Sequence, residues 1–101
     1  MEQQETVAAF LAANDMETHP AYHALDLASE VGELAKEVTA STDYGADPDA
    51  VAVADDELGD ALFSLLALAT AADVDAGEAL REALDKYERR IDDTGNPGSG
   101  A

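Results

Sequence analysis

Cysteine is absent from the chain, which excludes a disulfide framework and any metal site built on thiolates. No apolar run is long enough to span a bilayer, and the opening residues Met1-Glu-Gln-Gln-Glu-Thr6 lack the basic start of a signal peptide. A soluble, cytoplasmic protein is the expectation. Positive charge is scarce as well: five lysines and arginines face 23 aspartates and glutamates, for a formal net charge of −18. Such a surface repels nucleic-acid polymers and anionic membranes, so neither is an expected partner. Nor does any stretch alternate polar and apolar residues convincingly, as a half-buried strand would.

What remains is a chain of 101 residues, 47% of them hydrophobic, too apolar for a disordered protein and of a length for one domain. Much of the apolar fraction is alanine, which predicts a thin core and closely spaced helices. A monomer of this size buries a limited share of its surface, so a homodimer or homotetramer that adds core is expected. The acids are spread along periodic segments rather than gathered in one tail. That distribution fits a halophilic protein, because a Debye length of about 3 Å at 1 M salt screens most of the self-repulsion. An acidic interaction module is the competing reading of the same charge.

Four helices are predicted, in an all-α bundle. The first covers about Glu2 to Asn14, with Val7, Phe10 and Leu11 as its apolar stripe. The second opens at His19-Pro20, where a first-turn proline loses no hydrogen bond, and runs to about Ala40. A polar loop from Ser41 to Asp47 is centred on Gly45. The third helix is expected to start at Asp47-Pro48, an N-cap followed by proline, and to continue to about Ala72. The fourth starts at Asp75-Ala-Gly-Glu78, a capping-box-like pattern, and ends near Ile91. These elements give a helical domain over residues 1–92. Residues 93–101, rich in turn formers, form an expected flexible tail.

Acidic pairs three residues apart are common in this chain; Glu2/Glu5, Asp75/Glu78, Glu82/Asp85 and Asp85/Glu88 all fit a solvated helix face. Two pairs differ. Glu30-Val-Gly-Glu33-Leu on the second helix nearly repeats as Glu57-Leu-Gly-Asp60-Ala on the third. Each holds a glycine inside a helix, at a cost of about 1 kcal/mol against alanine, which implies close approach of another backbone or room for a ligand. At about 100° per residue, Glu30 lies roughly 80° from the centre of its helix's apolar face and Glu33 about 60° further round. Glu57 and Asp60 sit at nearly the same offsets in the same rotational sense. On facing antiparallel helices, equal offsets fall on one side. If the hairpin turns about residue 45, residues whose numbers add to 90 stand opposite each other, which pairs Glu30 with Asp60 and Glu33 with Glu57. Four carboxylates at one level require cations. All-oxygen donors favour hard ions such as Mg²⁺ or Mn²⁺.

The segments Ala24-Leu-Asp-Leu-Ala-Ser-Glu30-Val-Gly-Glu33-Leu-Ala-Lys-Glu-Val38, Asp56-Glu57-Leu-Gly-Asp60-Ala-Leu-Phe-Ser-Leu-Leu66 and Lys86-Tyr-Glu-Arg89-Arg90 resemble the MazG-like all-α nucleotide pyrophosphohydrolases. The resemblance spans about residues 20 to 92 and rests on an ExxE motif followed, after a spacer of variable length, by ExxD. It implies Mg²⁺-dependent hydrolysis of nucleoside triphosphates to monophosphate and pyrophosphate. Glu30, Glu33, Glu57 and Asp60 would then hold the metal on an antiparallel helix pair, with Glu30 or Glu33 taking a proton from water. It further implies phosphate contacts from Lys86 and Arg89, base contacts near His19, Tyr22 and His23, and a bundle completed by oligomerisation. Each of these has a plainer reading: the cations can offset the dipole of the fourth helix, and the aromatic and histidine residues can cap or pack. A phosphoribosyl-ATP pyrophosphatase-like enzyme fits less well, because Ala-Leu-Phe-Ser-Leu-Leu follows Asp60 where an aromatic-His element is expected. A non-catalytic acidic helical module is the alternative from another class.

Overall fold

The computed structural model describes residues 1–98, and helices α1 (Glu2–Ala13), α2 (Pro20–Ser41), α3 (Asp55–Ala71) and α4 (Ala76–Thr94) account for most of them. No strand occurs among the described residues, and none of these helices is long and apolar enough to cross a membrane. The fold class is all-α. The cap signals act at two helix starts. His19 Nδ1 accepts from the Ala21 N–H at 3.0 Å ahead of Pro20, and the Asp75 carboxylate accepts from the Glu78 N–H at 3.0 Å. That backbone hydrogen bond is the main reason the Asp75 carboxyl stays below its ordinary pKa.

Helix α3 departs from expectation by seven residues at its start. Asp47 makes no side-chain cap, and Pro48–Ala50 forms only a short 3-10 turn. Val51 then turns extended (φ −53, ψ 133), in keeping with the β-branched Val51 and Val53, and the Ala52 N–H donates to Ser41 Oγ at 3.0 Å. The helix begins where Asp55, Asp56 and Glu57 put three acids at the positive end of its dipole. At the other end of the chain, α4 extends past Ile91 to Thr94 and is closed by Gly95 at φ 75. Of the expected flexible tail, residues 99–101 lie outside the described residues.

Three helices end on a left-handed aspartate, at Asp15, Asp43 and Asp73. In each case the following N–H reaches back five residues: Met16 to Leu11, Tyr44 to Thr39 and Val74 to Ala69. This is the Schellman closure with aspartate where glycine is usual. Sharp reversals thus add to the acidic count without lengthening the loops.

Helix α3 is the hub, packing along α2 on one side and α1 on the other, while α4 makes little contact with any of them. Leu11, Leu66 and Ala67 are the buried apolar residues. Phe10 and Phe63 meet edge to face at 5.9 Å, yet Phe10 stays half exposed, so it is not the core residue it resembles in sequence. Gln4 ties α1 to the start of α4: its Nε2 donates to the Val74 carbonyl at 2.7 Å, and its Oε1 accepts from the Ala76 N–H at 2.8 Å. The chain is open for its length, with a radius of gyration of 16.5 Å; a compact domain of this size has about 13 Å.

Candidate metal centre

The α2–α3 hairpin brings three of the four acids together. One carboxylate oxygen each from Glu30, Glu57 and Asp60 lies within 4.8 Å of the other two; Glu30 and Glu57 are half-buried and Asp60 is exposed. The level is the one a turn near Gly45 dictates for Glu30 and Asp60, despite the later start of α3. Thr42 fixes that turn. Its Oγ1 donates to the Val38 carbonyl at 2.6 Å and accepts from the Gly45 N–H at 3.0 Å, while three successive left-handed residues, Asp43, Tyr44 and Gly45, reverse the chain.

Glu33 is exposed and stands outside the trio. Its angular position explains this: about 60° beyond Glu30 on α2, it points further from the seam with α3. Burial raises the Glu57 carboxyl above its ordinary pKa, and the negative charges of Glu37, Asp56, Asp60 and Glu30 raise it further, in that order. The charges that raise Glu57 are all negative, so the site gathers anionic oxygens. Of these neighbours Glu37 was not singled out from sequence. Its signal was available in the spacing, because seven residues from Glu30 is two helical turns and only about 20° of rotation.

The other sequence candidates stand outside the clustered acids. Tyr22 is 61% exposed, whereas the neighbouring His23 is 6% exposed and its Nε2 has no hydrogen-bond partner. His19 is occupied as the α2 cap. Lys86 is half-buried with its Nζ 5.0 Å from the Tyr87 ring centroid, and Arg89 is exposed. Both sit on α4, which does not pack along the helices that carry the acids. Gly32 and Gly59 bear on the choice between close backbone approach and open room at a helical glycine. A Cβ at either would meet nothing within 4 Å, so neither is required by close backbone approach within the chain. Gly59 instead lines an open groove of about 360 Å³ between α1 and α3, with Val7, Leu62, Phe63 and Leu66.

An antiparallel helical hairpin presenting clustered carboxylates, with no sulfur and no histidine among them, defines a protein of the all-α class suited to hard divalent ions. Residues 18–94 match the MazG nucleotide pyrophosphohydrolase domain, and the chain belongs to that family. No individual curated protein and no solved structure matches it.

Proposed function

We propose that this chain hydrolyses nucleoside triphosphates to monophosphate and pyrophosphate with Mg²⁺ or Mn²⁺ held by Glu30, Glu57 and Asp60. The observation that carries the reading is the convergence of those three carboxylates within a matched pyrophosphohydrolase domain. The donor set fits the ion: all ligand atoms are hard oxygens, and the acids around Glu57 repel one another. When bound, a divalent ion neutralises triphosphate charge and lowers the pKa of water. Glu33, on the same helix but outside the trio, is assigned to orient the attacking water and accept its proton. Lys86 and Arg89 are assigned to the phosphates, and Tyr22 and His23 to the base, with Tyr22 the member exposed enough to stack. Metal-stripped protein should release no pyrophosphate until Mg²⁺ or Mn²⁺ is added back. Turnover that persists without a divalent ion overturns the reading.

The working unit we propose is a homo-oligomer. Leu80, Leu84, Tyr87 and Ile91 form an exposed stripe on α4, and Leu58, Leu62 and Leu65 are about half exposed on α3. Apolar surface on this scale in a chain of such high charge calls for a cover. A second copy supplies one and adds the core that a single chain lacks.

The acidic surface fits a high-salt cytoplasm. Melting temperature should rise as KCl is increased beyond physiological strength, because screening removes repulsion among 23 acids opposed by five bases. A midpoint that is flat or falls across the series contradicts the high-salt assignment and leaves the enzymatic one standing.

A further inference from the structure

Helix α2 carries two carboxylates that the acidic pairs do not account for, Asp26 and Glu37, and Asp26 is exposed. Glu37 is half-buried, and its Oε2 is shielded from solvent with no hydrogen-bond donor facing it. An ionised oxygen in that setting is costly unless a positive group covers it. The one cation on α2, Lys36, is exposed and about 100° away round the helix. By contrast Glu37 continues the row that Glu30 begins, two turns further along the same seam.

We propose that Glu37 is a further carboxylate of the divalent-cation pocket, lengthening it along the α2–α3 seam beyond Glu30, Glu57 and Asp60. The inference rests on the metal-dependent reading of that trio. Its logic is charge balance: the buried oxygen lacks a donor, and the adjoining acids can only repel it. A divalent ion, touching Glu37 directly or through a coordinated water, provides the missing positive charge. Glu37 thereby raises affinity for the ion at the expense of the metal-free fold.

This trade gives the proposal a signature that a packing role lacks. Glu37→Gln keeps the shape and removes the charge, so the metal-free protein should melt at the same temperature or higher. Its Mn²⁺ affinity, followed by titration calorimetry and by loss of the free-ion resonance signal, should fall about tenfold, the lower end for loss of a group supporting a metal site. The control is Glu82→Gln on α4, exposed and remote from the α2–α3 seam. At the same KCl concentration it should bind Mn²⁺ like the unaltered chain. Glu37→Gln binding Mn²⁺ as tightly as the unaltered protein overturns the proposal, as does an equal loss in Glu82→Gln. If the unaltered protein binds no Mn²⁺, the metal-dependent function fails together with it; if it binds and Glu37→Gln matches it, only the role of Glu37 fails.

Discussion

Glu57→Gln is expected to cut divalent-dependent pyrophosphate release about 10²- to 10³-fold, the scale of losing one preorganised electrostatic group, while leaving the fold intact. Glu57 is half-buried among Glu30, Asp60 and Glu37, and burial and like charge together raise its carboxyl above the ordinary 4.5. A raised carboxyl means that the folded metal-free chain binds this proton more tightly than the unfolded chain does. The stabilisation is present below pH 4.5 and is lost as pH rises through the raised value. At neutral pH the ionised Glu57 therefore opposes folding until a cation arrives. Removing the charge should leave the metal-free melting temperature at neutral pH unchanged or higher and abolish the increase that Mg²⁺ confers. Protons and metal compete for the same oxygens, so divalent affinity should weaken as pH falls into that window. Assays of turnover and melting, each with and without Mg²⁺, check both halves. Full turnover in Glu57→Gln would show that the acidic trio is not the site.

The second large effect concerns assembly. Leu84 is 53% exposed on α4 in the single chain. If the chain worked alone, Leu84→Lys would change stability by no more than about 0.5 kcal/mol, as surface substitutions do. The added positive charge would even relieve a little of the net −18. Should α4 instead pack against a second copy, the lysine places an unpaired charge in that interface, costing about 3 to 5 kcal/mol. The expected outcome is dissociation on light scattering after gel filtration, and a melting point lower by at least about 10 °C at fixed protein concentration. A variant with unchanged mass and melting point contradicts the oligomer.

The helices were largely legible because each has local punctuation. His19-Pro20 and Asp75–Glu78 mark two starts to within a residue, and the turn residues around Gly45 set the hairpin level. Asp47-Pro48 misled because an aspartate-proline pair also opens a 3-10 turn, and the two valines after it favoured extended backbone over a helix. At the site, rotation about the helix axis carried more information than motif membership. Glu33 belongs to the motif yet stands outside the clustered acids, whereas Glu37 lies outside the motif but on the same row of α2 as Glu30. The exposed stripe on α4 was not legible as such, and at Gly32 and Gly59 the sequence left close backbone approach and open room undecided. Both depend on what packs against the chain, which periodicity on one helix does not specify.

The central claim is the reaction itself. The direct measurement is product identification after the purified, Mg²⁺-loaded protein is incubated at high KCl with a broad panel of nucleoside triphosphates. The account predicts monophosphate and pyrophosphate, in equal amounts, from at least one of them. Nucleoside diphosphate with inorganic phosphate would mean that a different anhydride is cut, and an entire panel left uncleaved would contradict the claim.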